Sequence, residues 1–255
     1  MLTENPLAAP RQRAIVLAMR KSPISAFTLV EMLTVLAIIV ILSGLVITAG
    51  AYVMKKSALS RAAGEITMLA SACQSYKDDH DRGSSYPRDT AANSVTDAIN
   101  PKADFIPTDA KYAASSLFLY KELTGDKTGA NGSGAPDGIP DDGEPRYLKE
   151  FKQTILNVTK NPATKAITAV NYLQDPFGFP YAYSTAAAKD EQTYQTTILK
   201  DPSQRTTLAR PTGNNLHGFS PGSYDLWSTG GSTPKANPSS QAAMDLEWAK
   251  WVKNW

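Results

Sequence analysis

The sequence has little of the chemistry that catalysis and metal binding commonly use. It contains one cysteine, Cys73, and two histidines, His80 and His217, among 255 residues. A single cysteine excludes an intramolecular disulfide and a zinc site built from several cysteines. Both histidines lie in polar, turn-like sequence, and the chain has no GxSxG, HExxH or phosphate-binding glycine motif. The sequence therefore predicts a protein that is not an enzyme.

An excess of either charge is also lacking. The chain has 26 basic residues against 24 acidic ones, for a formal net charge of +2. A dedicated nucleic-acid-binding domain usually carries a large basic surplus, so no nucleic-acid partner is expected. Strongly apolar sequence is concentrated in one run near the N-terminus.

This run extends from Phe27 to Met54 and contains one acidic residue, Glu31, and no basic one. As a helix it would be roughly 40 Å long, enough to cross a bilayer core of about 30 Å. Basic residues placed before such a run keep the preceding segment cytoplasmic and direct the following chain across the membrane. Four of them precede it here: Arg11, Arg13, Arg20 and Lys21.

The junction before Phe27 differs from that of an ordinary signal peptide. The small residues Ser25 and Ala26 precede the apolar run, whereas a signal peptidase site follows it. Cleavage there would leave the anchor on the mature chain and create a new amino group. An acid within a membrane costs about 2.5 kcal/mol or more, so Glu31 needs a partner, and the new amine of a neighbouring identical subunit would provide one. The alternative, an uncleaved signal anchor, leaves Glu31 unexplained.

The residues Ala26-Phe27-Thr28-Leu29-Val30-Glu31-Met32-Leu33 resemble the prepilin motif of type IV pilins and type II secretion pseudopilins. The resemblance implies that a prepilin peptidase cuts between Ala26 and Phe27 and that the amine of Phe27 becomes methylated. It also implies that Glu31 directs the packing of subunits in a filament. Ala26 is a departure, because glycine is the usual residue before the cut in this family.

A second, amphipathic helical stripe follows the apolar run. Apolar residues recur at spacings of three and four, which predicts that the anchor helix continues and packs one face on a folded body. We expect this helix to end near residues 83–87, and we interpret Cys73 as a core residue rather than a reactive thiol. The stripe comprises Leu59, Ala62, Ile66, Leu69, Cys73 and Tyr76.

The middle of the chain predicts a short helix over 112–123 and a surface loop over 126–145 that is rich in Gly, Pro and Asp. Residues 147–156 add another short helix or strand. Carboxylates near glycines are suitable calcium ligands, although the spacing in the loop is not that of an EF-hand. A calcium site and a plain solvated acidic loop are both open interpretations. The calcium candidates in the loop are Asp137, Asp141, Asp142 and Glu144.

The C-terminal part predicts three strands, over 166–173, 181–183 and 223–228, that form a small antiparallel sheet. Residues 241–255 carry Met244, Trp248, Trp251 and Trp255 at the spacing of one helical stripe. Docking of this stripe onto the body is one interpretation. A partner-binding anchor is the other, because tryptophan is enriched at interaction hot spots.

The segments DPFGFPYAYS and GSYDLWSTG resemble the sheet region of the major pseudopilin of type II secretion systems. In that subfamily, acidic residues in the loop after the second strand bind calcium. The corresponding loop here, 229–238, contains no acid, and Asp225 alone does not replace such a set. Calcium is thus the only cofactor that the sequence suggests, with Asp225 as a further candidate ligand.

The expected fold is α+β: a long N-terminal helix, transmembrane in its first half, packed on a small antiparallel sheet with short additional helices. The expected division is a leader (1–26), a membrane or filament-core helix (27–54), the periplasmic half of that helix (55–87) and a head (88–255). By resemblance, the chain is a pseudopilus subunit at the bacterial inner membrane, with its body in the periplasm. The partners implied are further copies of the chain, other pseudopilins, prepilin peptidase and the inner-membrane secretion platform. A type IV pilus subunit and a signal-anchored binding or enzymatic domain are the alternatives.

Overall fold

A computed structural model describes residues 27–80, 85–129, 134–149 and 151–255. The chain divides into an N-terminal unit that ends at Gly50 and a body from Ala51 to Trp255. The first helix, α1, spans Leu29–Asp79 and is 51 residues long. The body combines further helices with antiparallel strands, so the fold belongs to the α+β class.

The part of α1 in the N-terminal unit has no buried side chain among the described residues. The large apolar side chains there are exposed: Leu29 is 81% exposed and Ile47 is 72% exposed. By length and composition, α1 is the one described helix that could cross a membrane. The apolar run therefore forms the helix that the sequence predicts, and its apolar surface is not covered by its own unit.

The part of α1 in the body has one buried face. Ala62, Ile66, Leu69 and Cys73 are each at most 4% exposed, which confirms the amphipathic stripe. The helix ends at Asp79, a few residues before the predicted end at 83–87. Residues 83 and 84 of that predicted range lie outside the described part of the chain.

Helix α2 spans Ala110–Thr124 and confirms the predicted short helix. The side chain of Asp109 caps its start by accepting a hydrogen bond from the backbone N–H of Lys111. The helix ends at Gly125, whose φ of 72° is the left-handed conformation that glycine adopts readily.

The strands form two sheets rather than the single one predicted. Strands β1 (Leu156–Lys160) and β2 (Ile167–Leu173) make an antiparallel pair. Strands β3 (Ala182–Ser184), β4 (Asp225–Ser228) and β5 (Val252–Lys253) make the second sheet, in that order. The prediction placed the strand over 166–173 in one sheet with the other two, but β2 pairs with β1. The end of β2 is joined to the residues before β3 by the hydrogen bond from the N–H of Tyr181 to the carbonyl of Leu173 and by an isolated bridge between Gln174 and Pro180.

Two further helices complete the body. Helix α3 (Ala186–Lys200) lies in the connection between β3 and β4 and was not predicted. Helix α4 (Gln241–Trp248) is the predicted C-terminal helix, but it ends before Trp251, so a continuous stripe to Trp255 was wrong. After α4 the chain turns and enters β5. This strand pairs with β4, and Lys253 lies opposite Trp227 in the pair.

The body has two apolar clusters. The larger one joins the buried face of α1 to α2 and both sheets, and it includes Leu69, Leu119, Leu173 and Leu226. The smaller one is aromatic and contains Trp227 and Trp251, whose rings stack with centroids 5.6 Å apart. The C-terminal tryptophans therefore dock onto the body, as one of the two interpretations predicted.

Candidate functional site

The first candidate site is the N-terminus of α1, where Thr28 and Glu31 form a reciprocal cap. The backbone N–H and the hydroxyl of Thr28 donate to Glu31 Oε2 over 2.8 Å and 2.9 Å. The backbone N–H of Glu31 donates in return to Thr28 Oγ1 over 3.2 Å. This is a capping box, in which a threonine and a glutamate three residues later satisfy N–H groups that have no partner within the helix. The sequence Thr-Leu-Val-Glu carried this signal, which the sequence analysis did not use.

The cap gives Glu31 a role within its own chain. Among the described residues, Glu31 forms no ion pair with a basic side chain, and its carboxylate lies beside the positive end of the helix dipole. Phe27 immediately precedes the cap and is 72% exposed. Ala26, the other residue of the predicted cleavage site, lies outside the described residues.

The second candidate site is the acidic loop. Asp137, Asp141, Asp142 and Glu144 all line one surface depression of about 470 Å³, so the structure does bring the four loop candidates together. Three of them already have partners. Asp137 Oδ1 accepts the backbone N–H of Ile139 over 3.0 Å. Asp141 Oδ2 accepts backbone N–H groups of Lys127 and Thr128 over 3.1 Å and 3.0 Å. Glu144 forms an ion pair with Lys127 at 2.7 Å.

Asp126, which was not predicted from the sequence, holds this loop by hydrogen bonds to its backbone. Asp126 is fully buried, and its carboxylate accepts backbone N–H groups of Asp137 and Gly138 over 3.2 Å and 2.7 Å. It also accepts the hydroxyl of Tyr120 over 2.5 Å. Burial raises the pKa of Asp126 and these hydrogen bonds oppose the rise. The signal was available, because Asp126 directly follows the glycine that ends a predicted helix.

Asp225, the remaining calcium candidate, lies in β4 and does not line the acidic depression. It is 1% exposed, and its Oδ2 accepts the backbone N–H of Phe219 over 2.8 Å while Oδ1 has no hydrogen-bond partner. Burial raises the pKa of Asp225, and the nearby charge of Lys102 acts in the opposite direction.

Lys102 supplies a cation close to Asp225. Its Nζ donates to the carbonyl oxygens of Gly213 and Leu216 over 2.7 Å and 3.1 Å. Desolvation lowers the pKa of Lys102, while the charges of Asp225 and Asp190 raise it. The ammonium group thus occupies a position among oxygen atoms and holds the connection between β3 and β4 against the body.

These contacts bear on the fit of calcium to the chain. Within the described residues, no group of three or more His, Cys, Asp or Glu side chains has an arrangement that could hold a metal ion. Asp137 and Asp141 are held by hydrogen bonds and Glu144 by Lys127, while the charge of Lys102 acts on Asp225. The donor set as folded does not fit a calcium ion.

The residues usual in catalysis are dispersed. Cys73 is fully buried, and burial raises the pKa of its thiol, which makes it a poor nucleophile. His80 stacks on Tyr76 with ring centroids 3.9 Å apart, and His217 contacts Asp190 at the surface, with 2.8 Å from Nδ1 to Oδ2. Cys73 and the two histidines therefore have different neighbours.

Known proteins provide no further guide. Comparison of the chain with protein-family models, with curated proteins and with solved structures found no match in any of the three. The functional proposal consequently depends on the residues and contacts described above.

Proposed function

We propose that the chain is a structural subunit of a type II secretion pseudopilus, cut by prepilin peptidase before Phe27 and polymerised through α1. The observation that carries the proposal is the residue pattern Ala26 to Leu33 at the start of a helix with an exposed apolar first half. A tethered enzyme or binding domain would need only the anchor. It would need neither an acid at Glu31 nor small residues before Phe27.

The capping box suggests how Glu31 acts before and after assembly. In the separate subunit, Thr28 provides hydrogen bonds to the carboxylate, which lessens the cost of an acid in apolar surroundings. After cleavage, the amine of Phe27 is a cation at the exposed end of the chain. The amine of a neighbouring copy can then pair with Glu31 Oε1, which accepts none of the cap's hydrogen bonds. Assembly and capping are thus compatible.

The pseudopilus is preferred to a type IV pilus because of the segments around β3 and β4. The turn Asp175-Pro-Phe-Gly precedes β3, and Asp175 accepts backbone N–H groups of Phe177 and Phe179, both over 2.9 Å. The second segment forms β4, which is antiparallel to β3. The two segments that resemble the major pseudopilin are therefore adjacent in one sheet.

N-terminal sequencing of the chain purified from membranes tests the proposal. We expect a mature start at methylated Phe27 in the wild type and in Ala26→Gly. Ala26→Leu places a bulky residue before the cut and should leave Met1 in place. An intact Met1 in the wild type would contradict the proposal and favour a signal-anchored domain.

Filament formation provides a second test on the same cells. Glu31→Ala should remain membrane-bound with a folded body but should be incorporated into filaments at least tenfold less well. Lys56→Ala, a change of an exposed charge further along α1, serves as the matched control and should assemble normally.

A further inference from the structure

A surface depression of about 430 Å³ lies beside the start of the body. One wall belongs to α1 and contains Lys55 and Leu59. The opposite wall comes from the turn over 229–232, the following Thr233, and the end of α4. The lining residues are Lys55, Leu59, Gly230, Gly231, Ser232, Thr233, Ala249 and Lys250.

The turn over 229–232 contributes two consecutive glycines to the lining of the depression. Gly230 and Gly231 have φ of 61° and 78°, and the N–H of Ser232 donates to the carbonyl of Thr229 over 3.0 Å. Glycine adopts these angles without strain. The N–H of Gly230 donates to Ser228 Oγ over 3.1 Å, so Gly230 and Ser232 are both engaged within the turn. Among the described residues, the N–H of Gly231 and the hydroxyl of Thr233 have no hydrogen-bond partner.

The charges around the depression leave a surplus of one positive charge. Lys250 pairs with Glu247 at 2.6 Å, and the hydroxyl of Ser232 donates to the other Glu247 oxygen over 2.6 Å. Lys55 is exposed and has no ion pair in the described part of the chain. The net charge of Lys55, Lys250 and Glu247 is therefore +1, which matches a phosphodiester with its single negative charge.

The position of Lys55 in the sequence indicates the source of such a group. Lys55 directly follows Met54, the end of the apolar run. If that run spans a bilayer, the first lysine beyond it lies at the level of the lipid headgroups. Leu59, one turn further along α1, adds an apolar contact for the lipid's glycerol and upper acyl carbons.

We propose that this depression, which we call the Lys55 depression, binds the phosphodiester of an anionic phospholipid headgroup. The inference rests on membrane insertion of α1, which is part of the proposed function, but not on cleavage or filament assembly. Lys55 would provide the unneutralised charge, Lys250 the second ammonium group, and Gly231 and Thr233 the hydrogen-bond donors.

The test uses the full chain in detergent micelles, titrated with dioctanoyl-phosphatidylglycerol and followed by native mass spectrometry. A lysine near an anionic lipid surface contributes about 1 kcal/mol, so Lys55→Ala should weaken binding about fivefold. Lys250→Ala should weaken it similarly. Lys56→Ala is the matched control, since Lys56 is the adjacent exposed lysine and does not line the depression, and its affinity should stay within about twofold of the wild type.

Several results would overturn the proposal. Equal losses in Lys55→Ala and Lys56→Ala would mean that charge acts non-specifically, and equal binding of dioctanoyl-phosphatidylcholine would exclude an anionic headgroup. Displacement of the lipid by an equal concentration of inorganic phosphate would assign the depression to free phosphate. A dimer that forms without lipid and disappears in Lys55→Ala would assign it to an acid of a second copy.

This measurement is separate from the test of the proposed function. A chain that keeps Met1 and still binds phosphatidylglycerol through Lys55 would retain the lipid site and exclude the pseudopilin. A chain processed at Phe27 without Lys55-dependent lipid binding would give the reverse result.

Discussion

Asp225 is a buried acid whose surroundings disfavour its charge. It is buried in the sheet, one carboxylate oxygen has no hydrogen-bond partner, and burial raises its pKa. An acid with a raised pKa in the folded state is protonated there at a pH at which the unfolded chain has already lost the proton. Its ionisation therefore destabilises the fold progressively as the pH rises from about 4, the ordinary carboxyl value, through the raised pKa.

Asp225→Asn removes this charge and keeps an oxygen that can accept the N–H of Phe219. We expect the variant to lose less stability than the wild type between about pH 4 and neutrality, and to unfold at neutral pH with a free energy equal to or about 1 kcal/mol above the wild type. Urea denaturation across this pH range measures the difference. Asp142→Asn, a change of an exposed acid, is the control. A loss of more than about 3 kcal/mol would show that the hydrogen bonds to the carboxylate and its attraction to Lys102 together outweigh the cost of burial.

At the scale of elements, the connection between β3 and β4 is much longer than the sheet requires. Adjacent antiparallel strands can be joined by two residues, yet this connection contains α3 and the short helical turns Pro202–Thr206 and Gly213–Asn215. Lys102 holds the latter turn through the carbonyl oxygens of Gly213 and Leu216.

Lys102→Met keeps much of the aliphatic stem but leaves these carbonyl oxygens without the ammonium group. The expected cost is about 1–3 kcal/mol of stability, with the largest local effect in residues 201–219. Hydrogen exchange measured by mass spectrometry should show faster exchange there and no change in α2. Lys200→Met, at an exposed lysine that ends α3, should leave the exchange of this segment unaltered, and a uniform increase over the whole body would contradict a local clamp.

The acidic loop leads to a prediction about calcium. Because Asp141 is occupied by Thr128 and Glu144 by Lys127, we expect millimolar calcium to change the midpoint of thermal unfolding by less than about 2 °C. Lys127→Ala releases Glu144 and is the variant in which calcium should have the larger effect. A clear calcium-dependent rise in the wild type would show that the loop rearranges around the ion.

These elements also show how far the sequence alone could lead. The periodic stripe of α1 and the helix ended by Gly125 follow from local spacing and local backbone preference, and both are confirmed. The partner of β2 depends on a contact with β1 that no local pattern encodes. Helix α3 was missed because its threonines and glutamines leave little apolar periodicity, and its buried residues are limited to Ala186, Ala187 and Ile198.

The functional sites show the same difference between local contacts and contacts of distant segments. Thr28 and Glu31 are three residues apart, so their reciprocal cap could be inferred from the sequence. The Lys55 depression could not, because Lys55 and Lys250 come from distant parts of the chain and meet through the position of the turn at Gly231.

At the scale of the whole molecule, the two units differ in what they bury. The body contains both apolar clusters, whereas the described side chains between Phe27 and Gly50 are exposed. The body should therefore fold without the N-terminal unit, and removal of that unit should abolish the need for detergent.

A chain that begins at Ala51 tests this. We expect a soluble monomer by size-exclusion chromatography with light scattering, and a midpoint of unfolding within about 4 °C of the full chain, which corresponds to about 1 kcal/mol. The same chain carrying Leu69→Ala is the destabilised control and should lose about 2–5 kcal/mol, because Leu69 is fully buried. Aggregation of the unaltered shorter chain would contradict an independent body.

The pairing of β5 with β4 has a consequence for biogenesis. Ala62 lies in the buried face of α1, but Trp227 is not enclosed until Trp251 stacks on it and Lys253 pairs with it. At synthesis rates of about 5–20 residues per second, roughly 10–40 seconds separate the synthesis of Ala62 from that of Trp251 and Lys253. Until these C-terminal residues are made, the aromatic cluster around Trp227 is incomplete.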